Sequence, residues 1–270
     1  VLKQKYIIYI LFVIFFLVRI IGVGTDISNS DAARWHRRSL RFASSFASGN
    51  LAETYQRYHP GVTLMWIESF VSYGLTVYQQ LFMDEVKTLE NSTWYPITHG
   101  VSKVILTVII GTLLLYQYAL IKKLYGSEVA NIYVFFVSLE PYMIGINRWF
   151  HLTSLENFLV FSSLLSLIFW SKQESTNLKN KYFIISAVFF GLGVLTKMSA
   201  GIMFIPLFLI LWKRFGITKH FAKALAIYAF CGFATFFILF PAMWISPVTV
   251  ISNMVLALFG SVKGEIRETV

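Results

Sequence analysis

Eight runs of apolar residues, each close to the length of a membrane span, leave this chain few ways to fold. They lie near 6–24, 61–82, 101–121, 128–147, 152–171, 181–196, 198–213 and 221–245. A helix crosses the hydrocarbon core with roughly 17–25 mostly apolar residues, and only helices or closed barrels satisfy their backbone polar groups there. The runs show no alternation of period two, which disfavours a barrel. Composition agrees, because 57% of the chain is hydrophobic and 13% charged, against about a quarter charged in a soluble domain. The expected fold class is all-α: a polytopic transmembrane helical bundle.

The first run follows Lys3 and Lys5 as a signal peptide would. It lacks a small-residue A-x-A site and exceeds a typical h-region, so it reads as a retained first span. The single cysteine, Cys231, offers neither a disulfide nor a thiolate metal site. The formal charge of +10 is explained by cytoplasmic anchoring against anionic lipid, not by nucleic acid.

The basic clusters set the expected topology. Lys122–Lys123, then Lys172, Lys179 and Lys181, then Lys213, Arg214, Lys219 and Lys223 lie between apolar runs, and short basic loops belong in the cytoplasm. All of them face inward only if 61–82 does not cross. That segment contains Glu68 and reads as an interfacial helix of the outer leaflet. The reading is seven spans, residues 25–98 forming a first outer loop, and a hairpin broken at "LTKMSAG".

Under this topology the ionisable residues collect outside. They are Asp26, Asp31, Arg34, His36, Arg37, Arg38 and His59 from the loop, Arg148 and His151 in "NRWFHLTSLEN", and Lys197, with Glu140 and Glu156 near the same turn. Each has a plainer reading too. Arg148 suits an interfacial anchor, Glu140 a partner for Arg148 or Lys197, and "RWHRRSLRF" an amphipathic helix on headgroups. Together they form a basic surface beside a carboxylate, which suits a lipid-linked phosphate: Arg and Lys hold it as a leaving group, and Asp31 takes a proton from an attacking hydroxyl. There is no D-x-D pair, Gly-rich phosphate loop or His/Cys cluster at metal spacing. No metal and no cofactor are expected.

The ordered set "SNSDAARWHRRSLRF", "YQRYHPGVTLMW", "LEPYMIGINRWFHLTSLENFLVF" and "GLGVLTKMSAGIMFIPLF" resembles the glycosyltransferase-C superfamily, in the branch of protein O-mannosyltransferases and lipid A aminoarabinose transferases. The resemblance covers most of the chain. It implies inverting transfer of a sugar, hexosyl or pentosyl, from a polyprenyl monophosphate on the outer side of the membrane. It also implies Asp31 as the catalytic aspartate, with His59-Pro60, Arg148, His151 and Lys197 matching further motif positions. Three features depart from the pattern: Ala32 stands where the family commonly has Glu, Thr153 where it commonly has Asp, and the spans number about seven where eleven or more are usual.

The expected function is therefore sugar transfer to a protein, lipid or glycan hydroxyl. Asp31 is catalytic, and Arg34, His59, Arg148, His151, Lys197 and Glu140 bind substrate. The expected partners are the polyprenyl-phosphate sugar donor, the acceptor and membrane lipids, with no nucleic acid. The expected setting is a bacterial inner membrane, and the chain reads as the amino-terminal part of a longer one. The alternatives are a transporter or flippase of lipid-linked anions, whose ionisable groups would sit near the midplane, and an inactive partner subunit of the same fold.

Overall fold

The computed structural model describes residues 2–25, 30–57, 59–83, 85–87, 91–174 and 176–262. Among these every regular element is a helix, and there is no strand. In order come α1 (Leu2–Ile20), α2 (Ser30–Ala47), α3 (Val62–Phe82), α4 (Tyr95–Tyr125), α5 (Ser127–Leu139), α6 (Pro141–Arg148), α7 (Leu152–Ser171), α8 (Lys181–Thr196), α9 (Phe204–Phe215), α10 (Lys219–Leu239), α11 (Ala242–Ile245) and α12 (Pro247–Val262). Short 3₁₀ turns cover Leu51–Thr54 and Met198–Met203.

Four segments are long and apolar enough to cross a membrane: Tyr95–Tyr125, Leu152–Ser171, Met198–Phe215 and Lys219–Leu239. α5 and α6 make a fifth if their bent pair is one span, and the apolar parts of α1, α8 and α12 are shorter helices. This is an integral membrane protein. α3 is not among the spanning candidates.

Two runs that read as continuous in the sequence are broken, each at a residue preceding a proline, where the ring disfavours helical backbone. The run 128–147 bends by 61° at Glu140 (φ −67°, ψ 121°) before Pro141. The run 221–245 stops at Phe240 (φ −112°, ψ 93°) before Pro241, and the chain continues as α11 and α12.

The break at Pro141 explains the buried Arg19, which is 1% exposed. Proline has no N–H to give to Val137 O, and the Glu140 carboxylate takes the N–H of Tyr142 that Ser138 O would otherwise receive. Two carbonyls are left without helical donors. Arg19 supplies both, giving Nη2 to Val137 O at 2.7 Å and Nη1 to Ser138 O at 3.2 Å. Glu140 itself caps α6.

Close helix crossings use glycine. A Cβ on Gly191 of α8 would lie 2.4 Å from Gly232 O of α10, and one on Gly111 of α4 would lie 2.4 Å from the Phe16 ring of α1. Small residues let helices approach where lipid provides no hydrophobic drive. Ser163, Ser186 and Tyr228 add a buried polar tie across α7, α8 and α10.

Candidate functional site

The helix ends divide into two sets. α7 runs from His151 to a basic end at Lys172, and α8 runs back from Lys181 to Lys197. His151, Glu156 and Lys197 therefore share one end of the bundle, and α2 and the 55–61 loop join them there.

Asp31 lies in the first turn of α2, where the helix dipole favours an anion. Its Oδ1 is 3.5 Å from Arg34 Nη1, and its Oδ2 is 3.9 Å from His151 Nε2. His151 caps α7: its Nδ1 accepts the Thr153 backbone N–H at 3.3 Å and lies 3.0 Å from Thr153 Oγ1. A ring nitrogen that accepts carries no proton, so neutral His151 bears its hydrogen on Nε2, toward Asp31. Burial lowers the His151 pKa; the Asp31 charge raises it and the Lys197 charge lowers it.

Lys197 follows α8 in extended backbone (φ −156°, ψ 136°). Its Nζ is 3.8 Å from Glu156 Oε2, while Glu156 Oε1 accepts from Ser199 Oγ. Glu156 is 6% exposed, so its charge is compensated inside the protein. The 55–61 loop is pinned beside them: Gly61 N donates to Thr196 O at 3.1 Å, and Thr63 Oγ1 lies 2.7 Å from Thr196 Oγ1. Gly61 has φ +61°, and a Cβ there would fall 2.2 Å from the Trp35 ring of α2. A side chain would be strained there, so glycine makes the turn that brings His59 beside Lys197, Arg57 and Arg38. Burial, then Lys197, His151, Arg57 and Arg38, push the His59 pKa down to about 4.

Beside this cluster opens an apolar groove of about 390 Å³, lined by Thr63, Trp66, Ile67, Leu155, Leu195 and others. Its rim adjoins Thr196–Lys197 and Glu156 in the chain.

Of the residues that the sequence singled out, Asp31, Arg34, His59, His151 and Lys197 thus lie within one charged cluster. Arg148 Nη1 donates to Val18 O at 3.0 Å and to Ile21 O at 2.8 Å, closing the carboxyl end of α1. Glu140, with its two oxygens on the first N–H groups of α6, pairs with neither Arg148 nor Lys197. His36 is buried rather than outward, Arg37 is exposed, and the Arg38 guanidinium lies 4.8 Å over the Trp35 ring. Asp26 lies outside the described residues. Ala32 is fully buried in the apolar core. Thr153 holds His151, a role its reading as a missing acid did not suggest. Arg57 and Ser199 carry no motif that marks them in the sequence, and Glu68 figures there only as a polar residue of an interfacial helix. Glu68 is 0% exposed and bonded to His36; its partner lies on another helix, so no local pattern signals it. Among the described residues no cluster of His, Cys, Asp and Glu is arranged to hold a metal ion.

A helical membrane bundle with a carboxylate and several cations gathered at one end, over an apolar groove, defines the class. The chain belongs to the dolichyl-phosphate-mannose-protein mannosyltransferase family, whose model matches residues 99–245, more than half of its length. The family is one of membrane glycosyltransferases that draw sugar from a polyprenyl phosphate. The match contains Glu140, Arg148, His151, Glu156 and Lys197; Asp31, Arg34 and His59 precede it. No curated protein and no solved structure matches significantly.

Proposed function

We propose that the chain transfers a sugar, with inversion, from a polyprenyl-phosphate carrier to a protein, lipid or glycan hydroxyl at the outer face of the membrane. The observation that carries this reading is the juxtaposition of an exposed carboxylate, a set of cations and an apolar groove at one bundle end. The carrier phosphate sits by Lys197, its isoprenoid chain descends the groove, and its sugar points toward Asp31. Asp31 takes the proton from the acceptor hydroxyl as that oxygen attacks the anomeric carbon. The bond from that carbon to the phosphate oxygen breaks, and the departing charge rests against Lys197 and the nearby arginines. Neutral His151 and His59 orient donor and leaving group. Arg148 and Glu140 shape the helices around the site.

The outward orientation is supported by charge. Lys122 and Lys123, Lys172, Lys179 and Lys181, and Lys213 to Lys223 all lie at or beside the helix ends opposite the cluster, as cytoplasmic loops would. A bacterial inner membrane is the proposed setting.

The test is binding of radiolabelled dolichyl-phosphate mannose and of undecaprenyl phosphate to the purified chain in nanodiscs. Saturable binding that Lys197→Gln weakens supports the reading. Binding of neither lipid, or equal binding by Lys197→Gln, would overturn it.

A further inference from the structure

On the buried face of α2, three titratable side chains form a hydrogen-bonded chain in the interior. Glu68, His36 and His99 are 0%, 1% and 3% exposed. His36 Nδ1 lies 2.7 Å from Glu68 Oε1, and His36 Nε2 lies 2.9 Å from His99 Nδ1. The His36 ring lies flat on Phe150, with centroids 4.4 Å apart and planes 6° apart, and His99 stacks on Tyr95. Glu68 Oε2 has no hydrogen-bond partner among the described residues, and Ser72 Oγ reaches Oε1 only at 3.5 Å. The carboxylate therefore leans on His36.

Burying such groups is costly unless their bonds are made, and an apolar contact would fill the same space. What the imidazole adds is direction. One rigid ring ties α2 to Glu68 of α3 and to His99 of α4, fixing both the height and the rotation of α2. Both bonds survive either charge state. Neutral His36 donates from Nδ1 and accepts at Nε2, while the imidazolium donates from both.

Asp31 needs such a fixture. It is on the same helix, five residues earlier; its side chain is 52% exposed, and its contacts at 3.5 Å and 3.9 Å are long. Its helix, more than its own bonds, sets where the carboxylate stands. The ring beneath His36 belongs to Phe150, the chain neighbour of His151, so the clamp sits on the helix that carries Asp31 and against the turn that carries His151.

We propose that His36, held between Glu68 and His99, is a positioning residue that sets the place of Asp31 opposite His151. The functional meaning rests on Asp31 being the base; the geometry does not. Misplacement by about 1 Å can cost on the order of a hundredfold in rate.

The test reads geometry without donor or acceptor. In a Cys231→Ser background, the pair Asp31→Cys and His151→Cys reports on α2, and the pair Glu156→Cys and Lys197→Cys reports on the α7–α8 side. Each is joined by a short bifunctional thiol reagent in native membranes. His36→Phe keeps the ring but removes both bonds; combining it with Glu68→Leu also removes the orphaned charge, so that folding is preserved. The expected result is a 31–151 link formed about tenfold more slowly or worse in both variants, the weight of one or two buried hydrogen bonds, with the 156–197 link unchanged. Glu68→Gln, which still accepts from His36 Nδ1, restores the parental 31–151 rate. Unchanged 31–151 linking in the double variant overturns the proposal, and so does equal loss of both links, which would make the chain a general fold element. An inactive base is a separate failure: normal transfer in Asp31→Asn would remove the catalytic reading and leave these rates as they are.

Discussion

Asp31 and His151 face each other with Oδ2 and Nε2 3.9 Å apart, and the far side of the imidazole decides which proton His151 presents. Because Thr153 N–H occupies Nδ1, the hydrogen on Nε2 points at the carboxylate. If Asp31 is the base proposed above, a neutral His beside it can steer that base without neutralising it.

The neighbouring histidine makes stability depend on pH. His59 has a folded pKa of about 4 against an ordinary 6.5, chiefly through burial and then through Lys197. The unfolded chain takes up a proton that the folded chain refuses, so His59 contributes stability fully above pH 6.5, and this is lost as the pH falls toward 4. The thermal midpoint in detergent should fall across that window, and His59→Gln should flatten the fall. A midpoint that rises on acidification would contradict the assignment.

Arg148 and Lys197 should differ in their effect on carrier binding. Arg148→Lys should lower stability by about 1–2 kcal/mol, since one ammonium replaces a guanidinium seated on Val18 O of α1 and on Ile21 O just beyond it, while carrier affinity stays the same. Lys197→Gln should weaken carrier phosphate binding by about 1–3 kcal/mol, and it should lower the melting point as well, because buried Glu156 loses its cation. Isothermal binding of undecaprenyl phosphate, alongside thermal unfolding, separates the two.

Gly61→Ala should be severe for so small a change. The residue sits at φ +61°, and the new methyl would meet the Trp35 ring at 2.2 Å. Left-handed backbone and overpacking together cost at least about 1–3 kcal/mol. Protease sensitivity of the 55–61 loop should rise. A relieving Gly61→Ala/Trp35→Leu pair should recover part of the loss.

The bundle was legible from the sequence because apolar runs of span length permit little else. The interruptions were not, although Pro141 and Pro241 stand in plain view: a proline inside a membrane helix can be tolerated, and only the partner that satisfies the freed carbonyls decides the outcome. At Pro141 that partner is Arg19, far away in the chain. The same reason hid the role of Arg148, since a charge at a turn does not reveal whose carbonyls it faces. Motif order brought Asp31, His59, His151 and Lys197 into one reading. Glu68 and His99 could not join them, because their pairing runs through a ring on a third helix.

The proposed role of Asp31 as proton acceptor of a sugar transfer is tested by the single-turnover rate from dolichyl-phosphate mannose in Asp31→Asn, beside the affinity for the same donor. Asn keeps the size and the place in the first turn of α2 but cannot take the proton. Donor binding should stay within about twofold of the parent, and transfer should slow by roughly 10²–10⁴-fold. Transfer at the parental rate in Asp31→Asn, with donor binding intact, would contradict that role.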